Sequence, residues 1–192
     1  MWIGKTFLSG TIIDKSKSLG RTLFAFLSYA YSSSTSALLI LHSLIFQLAS
    51  DSDDLQAVLC QSSRENLKNN INVAVGLLST LVECAGPVYI IVDGVDEIGE
   101  IERGRLLNRL LDLSENCRET KILISSRLED DITAILNSKA AAIRVDNRNA
   151  GSIQAFVTRR TQNWFRHSNF LPEARSEIEG LLAPLASNAK GM

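Results

Sequence analysis

An α/β fold, with a mostly parallel sheet covered by helices on both faces, is what this 192-residue sequence predicts. Short apolar runs such as "VYIIV" at 88–92 lack polar alternation, the pattern of strands buried on both sides. Stretches of helical period separate these runs, so strand and helix alternate along the chain, as in sheets built by right-handed crossovers. With 45% hydrophobic and 21% charged residues, the composition suits one globular core. The length is that of a single domain of roughly 100–200 residues.

The elements follow in order. In "FLSGTIIDKSKSL" the apolar positions Phe7, Leu8, Ile12 and Ile13 fall near helical spacing and Gly20 offers a stop, predicting a helix over 5–18. "TLFAFLSY" at 22–29, bounded by Gly20 and a serine cluster, reads as a buried strand. Residues 36–50 are apolar on most sides, as in a helix packed deep against a sheet. His42 lies on that helix with no second histidine nearby, which makes it a packing or surface residue. Leu67, Ile71, Ala74, Leu78 and Leu81 give one apolar stripe on a long helix over 64–84, which Gly86 and Pro87 end. Beyond the strand at 88–92, the pattern predicts a helix at 101–115, a strand at 121–125, a helix at 129–137 and a strand "AIRVD" at 142–146. Helices resume at 150–164 and 172–189. The polar stretch 159–174 is the candidate hinge between the sheet domain and a C-terminal helix, and its Trp164, Phe165 and Phe170 suit a local hydrophobic cluster better than a partner surface.

A formal net charge of −1, from 20 basic and 21 acidic residues, provides no general attraction to nucleic acid or to an anionic membrane. The apolar region 22–48 is interrupted by "YSSSTS", so it falls short of the roughly 18 apolar residues a bilayer span needs. Cys60, Cys84 and Cys117 lie far apart, with the spacing of neither a zinc site nor a disulfide framework, and reduced thiols in the cytosol are expected.

Three short segments carry chemistry. Gly4-Lys5-Thr6 has the ending of a Walker A loop, in which lysine reaches the β and γ phosphates and the hydroxyl binds Mg²⁺. The helix that follows adds its positive dipole end. Alone, this tripeptide also recurs in unrelated surface turns. In "VYIIVDGVDEI", Asp93 ends an apolar strand and so brings a carboxylate to the sheet edge where open α/β sheets bind ligands. Asp93 is the candidate Mg²⁺ ligand, Gly94 keeps the next position small, and Asp96 and Glu97 are candidates to orient or deprotonate an attacking water. Without the preceding strand these acids would read as a solvated loop. In "KILISSRLED" a second buried strand leads to Arg127, placed to reach a γ-phosphate.

In this order, GKTFLS, VYIIVDGVDE and ILISSR resemble the NACHT module of STAND-class P-loop NTPases, and most closely fungal-type NACHT proteins with a nephrocystin-like N-terminal NTPase region. "DNRNAGSIQAFVTRR" resembles the family segment after the fifth strand, and "LPEARSEIEGLLAPLASNAKGM" the helix that leads to the family's A-x-G-M-F-L-W stretch. The resemblance implies a three-layer P-loop NTPase core over 1–158, then a hinge and the first helix of a C-terminal helical region over 159–192. It also implies ATP or GTP with Mg²⁺ as cofactors, with Gly4, Lys5, Thr6, Phe7 and Arg127 on the nucleotide, Thr6 and Asp93 on the metal, and Asp96 and Glu97 catalytic. The activity implied is that of a cytoplasmic signalling switch resembling those of innate immunity, with self-association or effector and repeat domains as partners in the full-length protein.

The family loop reads roughly G-x-P-G-x-G-K-T. Aligned on Gly4, Ile3 fills the variable position and Trp2 replaces the second glycine, where the backbone must approach the phosphates closely. A chain cut at both ends is therefore expected, without the first strand, which in the family lies between the strands at 121–125 and 142–146. Nucleotide binding is then impaired and turnover slow or absent. The alternative reading is a degenerate, non-binding scaffold fragment of the same fold. An active enzyme of another P-loop class is disfavoured, because Gly94 rather than Glu follows Asp93.

Overall fold

The computed structural model describes residues 3–30, 36–61, 64–144, 150–168 and 170–188. The chain divides into two compact units, Met1–Ala140 and Ala141–Met192. In the first, β1 (Arg21–Phe26), β2 (Val88–Asp93) and β3 (Thr120–Ser125) form a sheet in the order β1-β2-β3, parallel throughout. Phe26 lies opposite Asp93, and Asp93 opposite Ser125. All three strands thus finish at one level, and the loops that follow them share a single rim.

Side chains alternate across a strand. In β2 this sends Val88, Ile90 and Val92 to one face and Ile91 and Asp93 to the other. The first face joins a continuous core with Leu41, Leu44 and Leu48 of α2 (Ala37–Ser50), Leu78 and Leu81 of α5 (Ile71–Ala85), and Leu106, Leu107 and Leu110 of α6 (Glu100–Asn116). Against the second face lies α1 (Ile3–Ser16), which contacts β1 and β2 and buries Ser9, Ile13 and Ser16. The sheet is therefore covered on both sides, which is why β2 carries no polar alternation. Each leucine fully buried in this core contributes roughly 1.5–3 kcal/mol relative to exposure.

The outer strands differ at their free edges. Gln47, on α2, donates from Nε2 to the Phe24 carbonyl at 2.9 Å and accepts the Phe24 N–H on Oε1 at 3.0 Å. Its amide thus occupies the place a neighbouring peptide group would take on β1. Among the described residues no strand pairs with the outer edge of β3, the flank beside which the resemblance sets the family's first strand.

Several elements depart from expectation. The long helix over 64–84 is two helices, α4 (Arg64–Asn69) and α5, because Asn70 is extended at φ −126° and caps α5 by accepting the N–H groups of Asn72 and Val73. An asparagine side chain competes well for helix N-terminal donors, and here that local bond outweighs continuation of the stripe. The helix α3 (Asp53–Gln61) was not expected; its acidic first turn and the buried Leu55 support it. His42 has the packing role expected of it, with Nε2 2.7 Å from the Leu67 carbonyl, linking α2 to α4. The strand expected at 142–146 is not formed over residues 142–144, which are irregular and exposed, while 145 and 146 lie outside the described residues. Strand preference expresses burial on a pleated surface, and Ile143 at 85% exposure has none. After β3 comes α7 (Asp130–Leu136).

Among the described residues the second unit holds α8 (Ala150–His167) and α9 (Pro172–Asn188). The stretch expected as a hinge is helical through His167 and bends at Ser168, and α9 begins at a proline, a residue suited to a helix start. Trp164, Phe165 and Phe170 do form a local cluster: the Trp164 and Phe170 rings meet edge to face at 5.0 Å, Phe170 lies 5.8 Å from Phe165, and the Arg175 guanidinium covers Phe165. Among the described residues no helix is long and apolar enough to cross a membrane.

Two substitutions test this packing. Leu78→Ala, at a site with no exposure, should lower unfolding free energy by about 2–5 kcal/mol, and Asn70→Ala by about 1 kcal/mol. Urea denaturation followed by far-ultraviolet circular dichroism measures both, and equal losses would contradict the assigned roles of core residue and cap.

Candidate functional site

The rim of the sheet collects residues from distant chain segments. Gly4, Lys5 and Thr6 lie in the first turn of α1, whose leading N–H groups have no partner within the helix. Thr6 and Ser9 stand three apart and so share the helix face turned toward the sheet. Both reach Asp93: Thr6 Oγ1 donates to Oδ2 at 2.7 Å and Ser9 Oγ to Oδ1 at 3.1 Å. Asp93 is 5% exposed, and no cation pairs with it among the described residues. A buried carboxylate held only by hydroxyls is costly unless a positive charge joins it.

The chain then turns sharply. Gly94 sits at φ 78°, ψ 35°, and a Cβ there would stand 2.8 Å from the Leu27 carbonyl oxygen. Only glycine takes this conformation without strain and also tolerates so close a neighbour. The left-handed step opens a 3₁₀ turn over Val95–Glu97, anchored at its two sides by buried Val95 and Ile98. Between these anchors Asp96 is turned toward the rim.

Asp96 is where the charges meet. Its Oδ1 accepts the Arg127 backbone N–H at 2.9 Å and lies 3.7 Å from Lys5 Nζ, while Oδ2 lies 3.4 Å from Arg127 Nε. The Asp96 side chain is 4% exposed, against 20% for Lys5 and 50% for Arg127. From below, Arg103 grips the turn, its guanidinium reaching the Asp96 carbonyl at 3.5 Å and Asp131 of α7 at 2.6 Å. The carboxylate is therefore fixed by its backbone, whereas its two cations arrive on long side chains.

Of the residues singled out in the sequence, Lys5, Thr6, Asp93, Asp96 and Arg127 converge. Glu97 is half-buried on the same turn, and its carboxylate makes no hydrogen bond or ion pair among the described residues. Phe7 is 67% exposed. Ser9 and Arg103 were missed. Ser9 was legible as the residue one helical turn after Thr6, but Arg103 has no motif, since its partners come from α7 and from the backbone of another element.

The family described as Nephrocystin 3, N-terminal matches residues 2–127, which is 126 of the 192 residues. The chain belongs to this family. No curated protein and no solved structure matches it. The span shared with the nephrocystin 3 N-terminal family runs from the first turn of α1 through β3 and ends at Arg127, so it encloses all the rim contacts of Asp93 and Asp96. Within this nephrocystin-type unit the position of Asp96 depends on the glycine before the turn. Gly94→Ala should cost about 1–3 kcal/mol in stability and weaken the contact of Asp96 with Arg127. Chemical denaturation and the amide resonance of Arg127 report the two effects; an unchanged resonance would separate the glycine from the placement of Asp96.

Proposed function

We propose that this chain is the nucleotide-binding module of a NACHT-type signalling switch of the STAND class, of the fungal kind, which takes ATP or GTP together with Mg²⁺ in the cytoplasm. The observation that carries this reading is the buried Asp93 carboxylate, which faces two hydroxyls and no cation among the described residues while Lys5 and Arg127 lie along the same rim. The donor set fits a hard divalent ion, since a carboxylate and the adjacent Thr6 hydroxyl are oxygen ligands of the kind Mg²⁺ prefers. Thr6 and Asp93 would hold the ion, which when bound neutralises phosphate oxygens.

The remaining roles belong to the protein. Lys5 and Arg127 bind phosphate oxygens through charge-assisted hydrogen bonds, and the α1 N-terminus favours an anion near Gly4. Glu97 orients the water that attacks, because its carboxylate is uncommitted where that of Asp96 is engaged. Slow or absent turnover suits a switch, in which nucleotide occupancy rather than flux carries the signal. Effector and repeat domains, or self-association of the full-length protein, would receive that signal. A second reading, a scaffold of the same fold that binds no nucleotide, draws support from one fact: both rim cations already have Asp96 as a counter-charge.

Isothermal titration with ATP and GTP, with and without Mg²⁺, decides between them. A chain extended upstream by an ordinary strand and a G-x-P-G-x segment should bind in a Mg²⁺-dependent manner. Lys5→Ala in that chain should weaken binding by about 10–100-fold, the worth of a charged hydrogen bond. Absence of binding by the extended chain would remove the switch and leave the scaffold.

A further inference from the structure

We infer that Asp96 is an internal stand-in for phosphate, a carboxylate that occupies Lys5 and Arg127 until a polyphosphate chain displaces it. The inference rests on the nucleotide-binding reading and gives Asp96 a part in it other than catalysis. Two cations from distant parts of the chain, α1 and the loop after β3, converge on this one carboxylate. They meet it at different oxygens, much as they would meet two oxygens of a phosphate group.

The mechanics follow from which partner can move. Asp96 is held through its own backbone by Arg103, through its neighbours Val95 and Ile98 by burial, and through Oδ1 by the Arg127 N–H. That amide bond does not involve the guanidinium, so it survives when the Arg127 side chain swings away. Lys5 and Arg127 have flexible stems and are the mobile members. An incoming anion must draw them off a carboxylate that is 4% exposed. This cost is subtracted from affinity, because separating a buried charge from its partners is unfavourable. A single phosphate gains few contacts to offset that loss, whereas a di- or triphosphate engages both cations at once. Asp96 thereby sets a threshold that favours polyphosphate ligands over orthophosphate.

The test compares this chain with Asp96→Asn, which keeps the side-chain size and an oxygen to accept the Arg127 N–H but removes the charge. Titrations use Mg²⁺-ATP, sodium tripolyphosphate and orthophosphate. Asp96→Asn should bind ATP and tripolyphosphate at least about tenfold more tightly while its urea midpoint falls, a gain in affinity that a purely structural residue would not yield. It should also narrow the preference for tripolyphosphate over orthophosphate. Equal or weaker binding by the variant overturns the stand-in. If the unsubstituted chain binds Mg²⁺-ATP in that case, the nucleotide reading survives by itself; if neither chain binds any of the three, the stand-in falls and the upstream-extended chain alone decides the nucleotide reading. Should the variant not fold, carbon and nitrogen resonances of the unsubstituted chain give the answer. Tripolyphosphate must shift the Asp96 carboxyl carbon and the Arg127 Nε–H together, and an Asp96 signal that stays fixed at saturation or through a full titration overturns the proposal.

Discussion

Six successive residues of β2 pair in register with β1 on one side and β3 on the other, and the rest of the first unit is arranged around this pairing. Parallel strands need long crossovers, and the helices that make them have apolar faces to bury. Because β2 is covered on both faces, its side chains must be apolar until the strand ends. Asp93 is the first residue at which a charge is tolerated, since there the α1 hydroxyls of Thr6 and Ser9 replace hydrocarbon. Even register then places the ends of β1 and β3 at the same height. The rim is a direct consequence of strand pairing.

Asp93 and Asp96 illustrate how three residues of separation produce unlike environments. One ends a strand and meets neutral donors, while the other follows a left-handed glycine and meets cations. The difference arises from backbone direction at Gly94, since the side chains are chemically identical. Without that turn a second carboxylate would continue along the sheet direction, with no route toward Lys5 and Arg127. Arg103 stabilises the arrangement from the opposite side and connects the turn to α6 and α7.

Much of this was legible in the amino-acid order. The apolar runs at 88–92 and 121–125 became β2 and β3 with small shifts at their ends, because burial on both faces leaves an unambiguous pattern. The α/β class followed from their alternation with helical stretches. The break at Asn70 was hidden because a continuous apolar stripe and a local cap make opposing demands, and periodicity reports only the first. "AIRVD" suggested a strand through two branched residues, yet residues 142–144 find no surface to pack upon. At the rim, Lys5, Thr6, Asp93, Asp96 and Arg127 were named from motif order. That Lys5 and Arg127 would share Asp96 as their counter-ion could not be read there, because it depends on three-dimensional reach across 31 residues in one case and 91 in the other.

The amide of Gln47 has an implication for growth of the sheet. By satisfying both the N–H and the C=O of Phe24, it occupies one margin with a group that cannot propagate a ladder. A newcomer seeking to add to the sheet on that margin would first have to evict a side chain already making two good bonds. The opposite margin, along Thr120–Ser125, has no such plug among the described residues. Among the described residues the two margins are accordingly unlike, one blunted by a side-chain amide and the other, next to the segment that leads to Arg127, carrying no such block.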